Sequence, residues 1–325
     1  MYEKFQGLMA AVFTPFNNDS SQSVDYSKID AYAKYLVEVQ NIRAILVNGT
    51  TGESLKLSVP ERKLLLEHWL VSGEKHGIKV YAHVGHNSLP ESSDLTEHAV
   101  NCASPALSGI VAMAPTFFKP NTPEILVNMM AKIAEAAPLL PFYYYHIPSM
   151  TGVNIDVLDI LTFAEESGLI PNLAGVKYSD ANLHHYALAA QYKEGKYDMI
   201  YGCDQQLLYG IQAGVQGAIG STYNYIAAEA YDVLHNHSLE AQLKISKVVK
   251  ELHAYGSSSY VGKEILAIQG FDCGVPRLPH KALDARNKAL LENKLGDILH
   301  SPSKIFAQAP QAENADIKEV LDGLT

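Results

Sequence analysis

Lys177 closes a short apolar stretch, Leu173-Ala-Gly-Val-Lys-Tyr-Ser179. A continuous run of this kind reads as a strand buried on both faces, as in a parallel sheet. An ammonium at the end of such a strand is unfavourable to bury, and losing its proton is the simplest relief. A neutral amine in a dry pocket is a nucleophile towards a ketone, the first requirement of Schiff-base chemistry. The competing reading is a lysine that snorkels from the strand end to solvent.

Four other stretches carry residues that suit such chemistry. Asn48-Gly-Thr-Thr-Gly-Glu53 offers the hydroxyls of Thr50 and Thr51 and a backbone that Gly52 leaves open to close approach, a good cradle for a carboxylate. The same string also reads as a Gly-Thr turn ahead of a helix. In Phe142-Tyr-Tyr-Tyr-His-Ile-Pro148, Tyr143 and Tyr145 point to one side of a strand and Tyr144 to the other. A strand-end tyrosine such as Tyr145 can shuttle a proton when its phenol is held near a substrate or a hydroxyl. Tyr143 and Tyr144 read as core packing, and His146 as a satisfied structural histidine without a second ligand at metal spacing. His184 and His185 are adjacent on a helix and face different directions. Finally, Tyr201-Gly-Cys-Asp-Gln205 and Gly217-Ala-Ile-Gly-Ser-Thr-Tyr-Asn224 each pair a glycine with hydrogen-bonding side chains, with Gly202, Asp204, Gln205 and Ser221 as candidates. Neither has an Arg or Lys to hold phosphate, so neutral and acidic groups there suit a polyhydroxylated substrate.

The elements that must position these residues follow one rhythm: a short apolar run, a polar loop and an amphipathic helix. The runs lie at 8–13, 44–47, 80–84, 110–114, 141–145, 173–177, 199–201 and 217–220. Helical patterns lie between and after them, at 26–40, 60–73, 89–102, 123–137, 156–166, 182–191, 205–213 and 226–235. The second helix opens with a capping box, Ser58-Val-Pro-Glu61. Eight βα units predict a closed (β/α)8 TIM barrel over residues 1–238, with an open doubly wound sheet as the alternative. Chemistry in such a barrel sits at the C-terminal ends of the strands, where all five stretches fall. Beyond 238 the pattern turns to helices alone, at 239–255, 261–269 and 281–299. Residues 239–306 therefore read as a helical extension of the same domain and 307–325 as a tail.

The bulk composition narrows the function. A net charge of −10 argues against nucleic-acid or anionic-membrane binding, since both favour basic surfaces. Cys102, Cys203 and Cys273 form neither a disulfide framework nor a metal pattern, which fits a reducing cytosol. No signal-peptide-like or membrane-length apolar run stands out, so a cytoplasmic protein is expected. No metal or organic cofactor is signalled.

Taken together, GTTGE at 49–53, YHIP at 145–148, GVK at 175–177 and GSTYN at 220–224 make the chain resemble the class I aldolases of the N-acetylneuraminate lyase and dihydrodipicolinate synthase superfamily. The resemblance extends over roughly residues 5–300 and is strongest to the sialic acid lyase branch. It implies that Lys177 forms a Schiff base with pyruvate, that Thr50 and Thr51 hold the carboxylate, and that Tyr145 moves the proton. It further implies that Asp204, Gln205 and Ser221 contact the hydroxylated tail of a sugar. Gly52, Ser179 and Gly202 complete the expected substrate-binding set. By the same resemblance the protein needs no cofactor and assembles as a homotetramer.

Met150 occupies the position where the synthase branch carries an arginine for a second carboxylate, which sets the chain apart from that branch. Two departures from the lyase pattern stand out. Gln205 replaces the usual glutamate, losing charge-assisted strength while keeping both donor and acceptor. Phe117 and Phe118 stand where many relatives place a tyrosine of a neighbouring subunit in the proton relay. The expected activity is reversible cleavage of N-acetylneuraminate to N-acetylmannosamine and pyruvate. A related nonulosonate or 2-keto-3-deoxy sugar acid as substrate, or a non-catalytic keto acid binder, remain alternatives.

Overall fold

Eight parallel strands hydrogen-bond in sequence order and close on themselves. They are β1 (Gly7–Ala11), β2 (Ala44–Val47), β3 (Lys79–His83), β4 (Leu107–Met113), β5 (Phe142–His146), β6 (Leu173–Tyr178), β7 (Asp198–Tyr201) and β8 (Gly217–Gly220). β1 pairs with both β2 and β8, which completes the barrel and removes the open-sheet alternative. The computed structural model describes residues 2–299. The tail expected at 307–325 and the last residues of the extension lie outside them.

Around the barrel run α1 (Ile29–Glu38), α2 (Val59–His76), α3 (Leu89–Asn101), α4 (Pro123–Ala134), α5 (Pro148–Thr151), α6 (Val157–Ser167), α7 (Leu183–Gly195), α8 (Leu207–Gln212) and α9 (Ala227–Asn236). The capping box holds: Ser58 Oγ accepts from Glu61 N, and a Glu61 carboxylate oxygen accepts from Ser58 N at 2.9 Å. α2 runs one turn beyond its expected end because Gly73 packs against Ile78, Val80 and Ala106 without breaking the helix. The single-turn α5 was not legible in the pattern. The helix expected at 205–213 divides into a 3-10 turn, Asp204–Gln206, and the six-residue α8.

Strand alternation sorts side chains into two apolar layers. On β5, Phe142 and Tyr144 face the helices with Trp69, Val80 and Val176. Tyr143 and Tyr145 face the barrel axis with Met9, Leu46, Tyr81, Met113 and Ile219. This is the alternation expected from the sequence.

The extension comprises α10 (Leu239–Tyr255), α11 (Ser258–Ile268) and α12 (Ala285–Leu299). α10 clamps the turn after β7: Gln242 Nε2 donates to Asp204 O, its Oε1 accepts from Leu208 N at 2.7 Å, and Ser246 Oγ donates to Gln205 O. α11 reaches the loop after β2 through Lys263, whose Nζ lies 2.8 Å from Glu53 Oε1. The extension thus anchors two of the loops that carry candidate residues. Among the described residues no helix is long and apolar enough to cross a membrane.

Candidate active site

Barrel register places the central pair. Tyr145 on β5 is directly opposite Lys177 on β6. Lys177, 5% exposed, lays its Nζ over the Tyr145 ring, 3.8 Å from the centroid. The Tyr145 hydroxyl lies 3.4 Å from Thr50 Oγ1, and either oxygen can donate. The Tyr145 ring makes a T-shaped contact with His83 from β3, with centroids 6.0 Å apart and planes at 86°. The amine is therefore removed from bulk water and faces a phenol linked to a hydroxyl. That arrangement suits a nucleophilic amine with a proton path beside it.

These groups line a cavity of about 380 Å³ at the C-terminal end of the barrel. Thr50, Thr51, Tyr145, Lys177, Ser179, Gly202, Asp204, Gln205 and Ser221 all lie on its wall. Gly52, the neighbour of Thr51 in the chain, is not part of that wall. Its carbonyl accepts from Thr14 Oγ1 at 2.6 Å, and its Cα packs where a Cβ would sit 3.2 Å from Val12 O. Gly52 shapes the loop from behind.

The next residue, Glu53, holds a left-handed backbone (φ 57°) and is buried. Its carboxylate is met by Lys263 at 2.8 Å and Lys56 at 2.7 Å. The Thr50–Thr51 loop is thus pinned at its far end by a buried ion cluster.

On the opposite wall Asp204 is buried, and its Oδ2 accepts from Thr222 Oγ1 at 2.6 Å and Thr222 N at 3.2 Å. Burial pushes its carboxyl above the usual range, against the pull of those hydrogen bonds. Any side chain at Gly220 would collide with that carboxylate, and one at Gly202 with the Ser179 hydroxyl. Both glycines serve close approach here. Cys203 also faces the cavity, with its thiol pushed up to about 12 by burial.

Several features went unread in the sequence. His253, Ser257, Ser258, Ser259 and His280, all from the extension, line the cavity, as does Ser149 after β5; Met150, singled out in the sequence, lies on the same wall. His83 Nδ1 bonds Asn48 O at 2.8 Å, Nε2 has no partner, and burial holds the imidazole well below its usual range. Arg62, fully buried, donates to His83 O and Gly85 O and is held down to about 10 by burial. A histidine after an apolar run was the only available signal for His83.

His146 departs from the expected satisfied histidine. It stacks on Tyr178, its Nε2 lies 3.8 Å from Asp180, and its buried Nδ1 has no partner. Burial lowers it to about 4. His185 pairs with Asp156 at 3.0 Å. Phe117 and Phe118 are 76% and 82% exposed and lie outside the cavity wall. Among the described residues no group of three or more His, Cys, Asp or Glu is placed to hold a metal ion.

A closed eight-stranded barrel with a buried lysine laid on a tyrosine at its strand ends defines the class of protein. The chain belongs to the dihydrodipicolinate synthetase family, whose model matches residues 4–298. It is 40% identical to N-acetylneuraminate lyase of Xenopus tropicalis over 286 residues, covering 85% of this chain and 91% of that one. It is 39% identical to N-acetylneuraminate lyase of Gallus gallus over 313 residues, covering 90% and 96%. Among solved structures, the native N-acetylneuraminate lyase (sialic acid aldolase) of Aliivibrio salmonicida superposes with a TM-score of 0.84 at 33% identity, covering 91% and 97%.

Proposed function

We propose that the protein is a Schiff-base lyase that reversibly cleaves N-acetylneuraminate to N-acetylmannosamine and pyruvate. The observation that carries this reading is the buried Lys177 amine resting 3.8 Å over a tyrosine whose hydroxyl faces Thr50. Similarity to N-acetylneuraminate lyases across most of the chain supports the choice of sugar.

In this reading the open-chain substrate enters with its carboxylate on Thr50, Thr51 and neighbouring N–H groups. The neutral amine of Lys177 adds to the C2 ketone, and loss of water leaves an iminium. The C3–C4 bond then breaks, its electron pair passing into the iminium to give an enamine. Tyr145, coupled to Thr50, takes the proton that the C4 hydroxyl releases as the aldehyde forms. After N-acetylmannosamine leaves, the enamine is protonated at C3, and water hydrolyses the new iminium to pyruvate and the free lysine. Ser179, Gly202, Asp204, Gln205 and Ser221 line the wall available to the sugar. Thr222 occupies Asp204 Oδ2, and Oδ1, which has no hydrogen-bond partner among the described residues, is the oxygen left to accept from a sugar hydroxyl.

The same reading extends to a cytoplasmic homotetramer. Three free thiols support the reducing compartment. The exposed Phe117–Phe118 pair is the kind of apolar patch that subunit contacts cover.

The test is pyruvate release from N-acetylneuraminate, run beside its deaminated analogue and a 2-keto-3-deoxy sugar acid. A kcat/KM for N-acetylneuraminate at least tenfold above both supports the reading. Faster turnover of either competitor moves the substrate to that compound.

A further inference from the structure

The segment after α11 brings His280 to the wall of the same cavity. Its neighbours determine where its proton sits. Lys56 Nζ lies 2.7 Å from Glu53 Oε2, 3.1 Å from Arg277 O and 2.6 Å from His280 Nδ1. An ammonium has three N–H donors and no acceptor, so each contact takes one donor and His280 Nδ1 is the acceptor. A neutral imidazole that accepts at Nδ1 carries its proton on Nε2. Among the described residues Nε2 has no hydrogen-bond partner.

The ring itself is held in place. Tyr260 stacks on it with centroids 4.5 Å apart and planes at 29°, and the Tyr260 hydroxyl donates to Tyr255 O at 3.2 Å. Lys56 is fixed through Glu53, which Lys263 grips from α11. Burial and the Lys56 charge both keep the imidazole below its usual range, with Glu53 opposing. His280 is therefore a neutral, oriented hydrogen-bond donor facing a substrate-sized cavity.

We propose that His280 is a specificity-determining residue that donates its Nε2–H to an acceptor oxygen on the sugar arm of the substrate. The proposal rests on the aldolase reading above. With C2 on Lys177 and the carboxylate on Thr50 and Thr51, only the longer polyhydroxylated arm remains to extend towards the mouth of the barrel. That mouth is lined by the extension, through Leu252, Ser258, Ser259 and His280. A fixed donor there favours a substrate with a matching oxygen and disfavours one that leaves the N–H unpaired.

Three forms of the full chain test this: wild type, His280→Phe, which keeps a ring against Tyr260 without a donor, and His280→Gln, which restores a donor. Cleavage kinetics on N-acetylneuraminate are measured beside half-saturation by pyruvate in borohydride trapping. The expected result for His280→Phe is a loss in kcat/KM of about ten- to hundredfold, mostly in KM, with pyruvate half-saturation unchanged. His280→Gln recovers part of the loss. An unchanged kcat/KM in His280→Phe overturns the proposal, as does an equal weakening of pyruvate, which would put the contact at the carboxylate end or reveal a folding defect.

Failure of the underlying reading is separable. If the wild type traps pyruvate but does not cleave this sugar, the choice of sugar falls. The comparison then uses the polyhydroxylated aldehyde that the pyruvate-loaded protein condenses fastest, and an unchanged rate in His280→Phe overturns the role of His280. A wild type that traps no pyruvate overturns the aldolase reading and this proposal together.

Discussion

Two tyrosines two residues apart on one face of β5 live in opposite regimes. Tyr143, towards the bottom of the barrel, donates to Asp198 Oδ2 at 3.0 Å, and Phe5 N donates to the same oxygen at 2.9 Å. At this end the phenol and the carboxylate have short, direct partners. Tyr145, at the top, has only the longer contact with Thr50, a lysine over its ring and an open cavity beside it. The same residue type on the same strand contributes stability at one end and is left available for chemistry at the other. Full hydrogen-bond satisfaction marks the stabilising end, while loose, convergent polar groups mark the reactive one.

Substitutions sharpen this contrast. Lys177→Ala is expected to reduce lyase activity to background without lowering the unfolding midpoint, because it removes the proposed nucleophile from a site that folding does not need. Tyr145→Phe should lower kcat by about 10²–10⁴-fold, the range of a lost proton-transfer group, with circular dichroism unchanged. Tyr143→Phe should do the reverse: kcat stays within about twofold while unfolding in urea shows a loss of about 1–3 kcal/mol, as Asp198 loses a buried donor. A large kcat effect from Tyr143→Phe would break the comparison.

Acid should probe the neutral histidines around the site. Burial holds His83 well below its usual range and His146 at about 4, so neither is protonated in the fold near pH 6. The unfolded chain takes up those protons below its ordinary value of about 6.5. Their contribution is thus fully present above that value and is lost as pH falls through it towards the folded values. Each group should contribute a slope of up to about 1.4 kcal/mol per pH unit to stability between pH 6 and 5. Denaturant titrations of the wild type and His146→Asn should show a shallower slope in the variant. The smallest effect is expected from Gln205→Glu, a few-fold change in KM for the sugar with kcat unchanged.

The fold was legible because its signal repeats: eight apolar runs alternating with helical patterns leave few architectures available. The candidate centre was legible because Lys177, Tyr145 and Thr50 each stand at a strand end or in the loop after one. What the sequence hid depends on contacts across long separations. Gly52 belongs to the same motif as Thr50 and Thr51, yet its carbonyl is taken by the Thr14 hydroxyl. His280 lies more than two hundred residues from Lys56, and only their contact at 2.6 Å reveals which nitrogen carries the proton. The roof of Ser257–Ser259 could not be read either, because a run of serines between helices looks like any other loop.

The most direct test of the account is borohydride reduction in the presence of N-acetylneuraminate, followed by peptide mass mapping. A reduced pyruvate adduct on Lys177, absent from Lys177→Ala and from protein treated without sugar, is the predicted result, since it records both imine formation and C–C cleavage. Modification of another lysine, or no adduct with either this sugar or pyruvate, would contradict the assignment of Lys177 as the nucleophile at the open end of the barrel.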